Sequence, residues 1–348
     1  MHMNAQSLVV AGAGNTGSHV LPELARLNNV ARITVVDPQV YEEGNVAAQN
    51  IDWEDIGKPK VAVQADKLRR INPRLDVIAL QERIEDVPRG LLRCDLIVSC
   101  LDSRVARQHV NQIAARLNTR WIDTGVLGSQ NLARVSRFSP ASGAACCECS
   151  WSPDDYSLVE QEYLCGAGGG SALPTMASSA LGALASSLMV LEIAKLISGE
   201  LQETADAQHL LLDARNHTMQ ITASRRNPEC RFDHQAWDVH PWRCQPESTL
   251  VATALKELGS VQIEGHRFVH ELTCPGCKRQ LRSLRLNRPL ARCSACGRRM
   301  VSAGFDSLES LDATSAGEFS ELTLTQIGLR AGDIISSGIN QQWMMEAV

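Results

Sequence analysis

Three sets of residues in this 348-residue chain have the types and spacing to do chemistry. The first is Gly12-Ala-Gly14-Asn-Thr-Gly17, with Asp37 standing 20 positions after the last glycine. Glycines let a backbone approach phosphate oxygens, a helix starting behind them offers free N–H groups, and an acid at that spacing accepts from ribose hydroxyls. The second set is Lys60, which could neutralise phosphate charge, and Asp102, which could hold a magnesium ion or orient a phosphate. The third is the cysteines, twelve in all. Cys274-Pro-Gly-Cys277 and Cys293-Ser-Ala-Cys296 are knuckles separated by 15 residues, a spacing that gives four thiolates to a closed, structural zinc. A redox dithiol or disulfides are the competing readings of that pattern.

These groups need elements to position them. Leu8–Ala11 reads as a buried strand, the glycine loop leads into a helix, and Arg32–Val36 is a second strand ending at Asp37. Lys58-Pro59-Lys60-Val61 opens a helix to Asn72-Pro73, and Asp76–Ala79, Asp95–Cys100 and Trp121–Asp123 read as further strands, with a helix at Val105–Leu117. Strands alternating with helices predict an α/β fold, a Rossmann-like, mostly parallel sheet covered by helices. Ligands bind such sheets beyond the carboxyl ends of the strands, where Gly12–Gly17, Asp37 and Asp102 all fall. A helix N-cap is the plain alternative for Asp102, and an ordinary exposed lysine for Lys60. The glycine loop and Asp37 alone leave NAD, FAD and ATP open. An NAD-dependent oxidoreductase would give Lys60, Asp102 and the paired cysteines no role.

The length suits two domains, expected at 1–240 and 241–348, the second a small domain carrying the zinc ribbon at 274–296. A net charge of −5 implies no general attraction to nucleic acid or membrane. Cysteines paired as CxxC beside a nucleotide fold favour metal binding in a reducing cytoplasm. Gly166–Leu191 carries no charge, but it is crowded with Ser, Ala and Gly, includes Pro174 and continues into Glu192 and Lys195. It reads as a buried small-residue helix capped by Gly199 rather than a membrane span. In the C-terminal part Pro246–Leu258 reads as a helix and Leu322–Ile335 as a strand-rich piece with turns at Gly328 and Gly332. Lys278, Arg279, Arg282, Arg285, Arg288, Arg292, Arg298 and Arg299 make the ribbon basic, whereas the tail from Val301 is acidic. That asymmetry predicts a docking surface or association of the two. No aromatic platform accompanies the arginines, so nucleic-acid binding is not favoured.

The glycine loop, Asp37-Pro-Gln-Val-Tyr-Glu-Glu-Gly-Asn45-Val-Ala-Ala-Gln49, Gly57-Lys-Pro-Lys60 and Cys100-Leu-Asp102-Ser together resemble the MoeB/ThiF/ubiquitin-activating superfamily, over about Ser7 to His234. The resemblance implies binding of ATP and Mg2+ and adenylation of the C-terminal glycine of a ubiquitin-like or sulfur-carrier protein. It would place Asp37 on the ribose, Asn45, Gln49 and Lys60 on the phosphates, and Asp102 on the metal. It also implies a second Zn2+ site that pairs Cys146 and Cys149 with Cys230 and His234, Cys147 being an alternative to Cys146. By the same resemblance Cys165, read as lying in an accessible glycine loop before the long helix, would accept the activated carboxylate as a thioester and pass it to a conjugating enzyme. A structural role is the alternative for that thiol. A homodimer through Ala177–Leu191 is implied too. The chain departs from the family pattern at Gln39, where a second acid is usual, and at Ala48, where an arginine is usual. Arg104 and Arg107 are the nearest candidates to replace that cation, and a non-catalytic ATP-binding scaffold is the reading these departures would favour.

Overall fold

The computed structural model describes residues 5–141, 143–165, 177–201, 204–288, 290, 292–303, 307–338 and 341–346, with the side chains of 161–165 left aside. The chain forms two compact units, Met1–Glu85 with Arg93–Ala236, and Asp86–Leu92 with Trp237–Val348.

The first unit is built on β1 (Gln6–Ala11), β2 (Val30–Val36), β3 (Asp76–Leu80), β4 (Leu96–Ser99), β5 (Arg120–Leu127), β6 (Leu132–Phe138), β7 (Ala207–Asp213) and β8 (Thr218–Ser224). They form one sheet in the order β3-β2-β1-β4-β5-β6-β7-β8. The pairings from β3 to β5 are parallel and those from β5 to β8 antiparallel. The helices are α1 (Asn15–Leu24), α2 (Lys60–Ile71), α3 (Arg104–Arg116), α4 (Pro153–Cys165) and α5 (Ser179–Ser198). Central strands buried on both faces read as continuous apolar runs, as in Leu8-Val-Val-Ala11 and Leu96-Ile-Val98. Leu8, Val10, Leu21, Leu24, Ile33, Leu68 and Ile122 share one core, in which a Leu→Ala change costs about 2–5 kcal/mol. Helix α5 is long and apolar enough by length and composition to cross a membrane, yet Leu181, Ala185, Met189 and Ile193 bury one side of it in this unit. Gly182 allows the close approach to α1, since a Cβ there would lie 2.0 Å from Asn15 Oδ1. Gly199 caps the helix with a φ of +76° and an N–H to Lys195 O, as its position in the sequence predicts.

The second unit carries β9 (Val239–Arg243), α6 (Val251–Leu258), β10 (Val261–Gln262), β11 (Phe268–Thr273), β12 (Gln280–Leu286), β13 (Val301–Ser302), β14 (Ser307–Leu308), β15 (Ser310–Leu311), α7 (Ala313–Ala316), β16 (Ile334–Ser336) and β17 (Gln342–Glu346). One sheet runs β15-β10-β16-β17-β9, and a second runs β12-β11-β13 with β14 also on β11. Segment 86–92, between β3 and β4 in sequence, belongs to this unit. Gly90 N–H bonds Gly332 O at 2.8 Å, and Arg330 Nη2 bonds Asp86 O at 2.8 Å. The core holds Phe268, Leu284, Leu311, Leu324, Ile327, Leu329 and Ile335. Beside it Arg288 and Asp333 form a bidentate pair, with side chains 10% and 1% exposed.

Two expectations fail here. The helix expected over Pro246–Leu258 begins only at Val251, because Ser248 and Thr249 N–H groups turn back onto Gln245 O. Of the strand-rich reading of Leu322–Ile335, only Ile334 and Ile335 are in a strand. Leu324, Ile327 and Leu329 are apolar because they plug the core from turns, with Gly328 and Gly332 at φ values of +92° and +88°.

Candidate active site and metal centres

The residues singled out at the strand ends of the first unit line one cavity of about 1580 Å³, which holds Gly12, Gly14, Asp37, Asn45, Gln49, Lys60 and Asp102. The glycine loop is dictated by contact. Gly12 has a φ of +94° and a Cβ there would lie 2.5 Å from Cys100 O, while a Cβ on Gly17 would lie 2.0 Å from Gly12 O. Gly14 differs: its nearest neighbour is Gln49 Nε2 at 4.0 Å, so its missing side chain opens the cavity instead of filling a contact. Helix α1 starts from Gly14 with no capping side chain and no acid in its first turn, which leaves its positive end available to an anion. Among the described residues, the buried acceptor atoms Gln49 Oε1 and Asn15 Oδ1 have no hydrogen-bond partner, a polar capacity that a ligand can use.

Asp37 is 6% exposed and held in place by two backbone donors, Ala13 N–H to Oδ2 and Gln39 N–H to Oδ1, each at 2.8 Å. Lys60 is 4% exposed, and its Nζ donates to Gln39 Oε1 at 2.8 Å. A neutral amide thus stands where an acid would pair with the ammonium, and the full positive charge of Lys60 stays in the cavity. Asp102 is exposed and is not the cap of α3: Ser103 is, accepting from Ala106 N–H at 3.3 Å. The N-cap alternative for Asp102 is therefore excluded.

The cavity continues across β5, β6 and β7, where the sequence reading had placed nothing. Val126, Leu127, Leu132, Phe138 and Leu211 line it with apolar surface. Beneath them Asp123, its side chain 2% exposed, accepts Ser99 Oγ at 2.8 Å, Arg107 Nε at 3.1 Å and Arg134 Nη2 at 2.9 Å. Arg107 also donates Nη2 to Leu101 O and Thr124 O, and it lines the cavity. Arg104 pairs with Asp155 at 2.6 Å. His209 sits between Ser136 Oγ and Ser224 Oγ, each 2.9 Å away, and burial lowers its pKa.

Seven of the cysteines, with His234, fall into two clusters, and both match the groupings read from sequence and resemblance. In each, the four ligand atoms lie within 4.8 Å of one another: Cys146, Cys149, Cys230 and His234 in the first unit, Cys274, Cys277, Cys293 and Cys296 in the second. Zinc–sulfur bonds of about 2.3 Å in a tetrahedron put ligand atoms roughly 3.8 Å apart. The first cluster shows 3.8 Å from Cys146 Sγ to Cys230 Sγ, 3.9 Å to Cys149 Sγ and 3.5 Å to His234 Nε2. The second shows 3.2 Å for Cys274–Cys296 and 3.5 Å for Cys277–Cys293. Both donor sets fit zinc. Cys147 belongs to neither cluster: it lines the cavity, and burial raises its thiol pKa to about 12. Cys94 and Cys100 are likewise held as thiols, each at about 12, by burial.

Cys165 requires a correction. It is the last residue of α4 rather than part of a loop preceding a helix N-terminus. Its side chain, and residues 166–176, lie outside the described residues. In the second unit the basic strand and acidic tail associate through Arg267–Glu309 at 2.6 Å, Arg282–Glu318 at 2.7 Å and Arg288–Asp333 at 2.5 Å.

The profile of the ThiF family matches residues 2–232. The sulfur carrier protein ThiS adenylyltransferase of Escherichia coli (strain K12) is 28% identical over 231 residues, covering 66% of this chain and 85% of that protein. The sulfur carrier protein adenylyltransferase of Thermus thermophilus is 29% identical over 230 residues, covering 64% and 80%. The NEDD8-activating enzyme E1 catalytic subunit of Saccharomyces cerevisiae is 29% identical over 153 residues, covering 41% and 50%. Among solved structures, E. coli MccB with ATP shares the fold with a TM-score of 0.54 at 19% identity, over 66% of this chain and 67% of that one.

Proposed function

Because the chain belongs to the ThiF family, we propose that it is an ATP-dependent adenylyltransferase acting on the C-terminal glycine of a ubiquitin-like or sulfur-carrier protein. One observation carries this reading. A single cavity joins a phosphate-binding loop, a ribose-type acid, a charged lysine and Asp102 to an apolar trough over β5–β7. An ATP-binding site alone would not need the trough; an acyl chain that must meet the α-phosphate would.

The chemistry is a displacement. A carboxylate oxygen of the acyl protein bonds to the α-phosphorus of ATP, the bond from that phosphorus to the bridging oxygen breaks, and pyrophosphate leaves with the electron pair. Gly12 and Gly14 would let the backbone approach the phosphates, Asp37 would orient the ribose, and Asn45 and Gln49 would donate to phosphate oxygens. Lys60 would offset charge building on the leaving pyrophosphate, worth several kcal/mol in a water-poor site. Asp102 is the residue that would hold Mg2+, which when bound supplies further charge neutralisation. Zn2+ in either cysteine cluster would be structural, since each offers four protein ligands and no open position.

The finer step is transfer. Sulfur of Cys165 would attack the acyl carbon, AMP would leave, and the thioester would pass to a conjugating enzyme. The sulfur-carrier alternative ends at the acyl-adenylate. It is favoured by coverage, because the two sulfur-carrier relatives align over 85% and 80% of their lengths against 50% for the yeast activating subunit. Homodimerisation would use α5, whose Leu184 and Leu191 are 42% and 58% exposed, and light scattering at twice the chain mass would support it. The test of the whole reading is a non-reducing gel after incubation with magnesium-ATP and a glycine-ended ubiquitin-like protein. An ATP-dependent, thiol-sensitive band lost in Cys165→Ala supports adenylation and transfer. Pyrophosphate release without that band limits the enzyme to the sulfur-carrier type, and neither product leaves an inactive scaffold.

A further inference from the structure

Arg134 meets the buried Asp123 through one nitrogen alone and lines the cavity, and we infer that it is the subsite for the acyl substrate's carboxylate. This rests on the adenylation proposed above and names the residue that would receive the group to be activated. Asp123 faces two arginines, of which Arg107 is the more engaged, with Nε on Asp123 and Nη2 on two carbonyl oxygens. Arg134 gives Nη2 to Asp123 Oδ2 and makes no other side-chain hydrogen bond among the described residues; its side chain is 45% exposed.

The backbone opens this guanidinium to a ligand. Gly125 lies opposite Arg134 in the β5–β6 ladder. A Cβ there would stand 3.1 Å from Arg107 Nη2 and 3.9 Å from Arg134 Nη2, so any larger residue would cover both guanidinium groups. Thr124 Oγ1 donates to Arg134 O at 3.1 Å and fixes the strand that carries it. Asp123 orients the guanidinium from beneath, which leaves its remaining N–H groups for a planar, two-oxygen anion.

The surroundings choose among anions. Val126, Leu127, Leu132 and Phe138 flank the position with apolar surface, which suits a carboxylate at the end of an uncharged chain and not a polyphosphate. The polar donors suited to phosphate lie on the ends of β1 and β2 and at the start of α2. Arg107 links the two regions, since its Nη2 reaches the carbonyl of Leu101, next to Asp102. A carboxylate on Arg134 would therefore adjoin the nucleotide end.

The test uses two synthetic peptides of one sequence ending in Gly-Gly, one with a free carboxylate and one with a carboxamide. Each is titrated calorimetrically into the full chain, with and without a non-cleavable ATP analogue. The free acid should bind about 10-fold tighter or more than the amide, the scale of one charge-assisted hydrogen-bonded pair. Arg134→Ala should abolish that preference, and Arg134→Lys should keep part of it, which guards against a variant that merely misfolds. Equal binding of acid and amide, no detectable binding of the acid at millimolar concentration, or a preference that survives Arg134→Ala would overturn the inference. Failure to bind the ATP analogue would instead count against the adenylation reading and leave the acid–amide comparison to judge Arg134 alone.

Discussion

The two ends of the cavity are built in different ways. At the nucleotide end the chemistry belongs to chain termini of strands and to a helix start: Gly12 and Gly17 locked by backbone contact, Gly14 left open, Asp37 held by two N–H groups. At the other end it belongs to side chains within β5, β6 and β7, held by ion pairs and apolar packing around Asp123. Backbone can cradle phosphate because phosphate is the same in every nucleotide. A protein tail is particular, and side chains are the part of the fold that can be changed to suit it without moving the sheet. The two ends should therefore be separable by mutation.

The largest separation is expected from Asp102→Ala. Pyrophosphate exchange should fall roughly 100- to 1000-fold, the cost of losing one electrostatic contributor in such a site, while binding of the acyl protein stays within a few-fold. Equal losses of both would break the comparison. Next is the Cys146–Cys149–Cys230–His234 cluster of the first unit. Cys146 and Cys149 flank Cys147, which lines the cavity, so Cys230→Ser should loosen the acyl end. Affinity for the acyl protein should drop roughly 10- to 100-fold with little change in ATP affinity. Cys293→Ser, in the second unit's cluster, should spare both affinities, and metal analysis should find one zinc lost per chain in either variant.

Lys60→Ala is a smaller cut at the nucleotide end alone. KM for ATP should rise roughly 10-fold and KM for the acyl protein should not move. The smallest effect concerns acid. His209 has a folded pKa lowered from 6.5, chiefly by burial and then by the charge of Arg134. Its neutral form is the one the fold accommodates, so its contribution is present above 6.5 and is lost as pH falls through the folded value. The melting temperature should decline on acidification below that point, and His209→Gln should flatten the decline measurably. An unchanged slope would remove His209 from the acid sensitivity of this region.

How much of this was legible in the sequence follows the same division. Gly12–Gly17, Asp37, Lys60 and Asp102 stand beside recognisable strand ends and helix starts, and the knuckles Cys274–Cys277 and Cys293–Cys296 announce themselves by spacing. The four-residue set with His234 came from resemblance, because Cys146 and Cys230 are brought together only by the tertiary fold. The Asp123 centre was missed. Asp123 and Arg134 meet because β5 and β6 lie side by side, Arg107 reaches them from α3, and nothing in their spacing announces it. Ser103 rather than Asp102 caps α3 because both are good caps and only geometry chooses. Segment 86–92 was invisible for a related reason: Gly90 is small because Gly332 O would be 2.6 Å from its Cβ, a contact spanning most of the chain. Leu324 and Ile327 show how an apolar alternation arises from turns that plug a core.

The reaction proposed for this cavity is transfer of AMP from ATP to a protein carboxylate. The direct measurement is exchange of labelled pyrophosphate into ATP by the full chain, with a ubiquitin-like protein ending in a free glycine carboxylate and with the same protein amidated at its C-terminus. The account predicts exchange with the free carboxylate alone, lost in Asp102→Ala. Exchange that is indifferent to amidation, or ATP binding with no exchange for either protein, would contradict it.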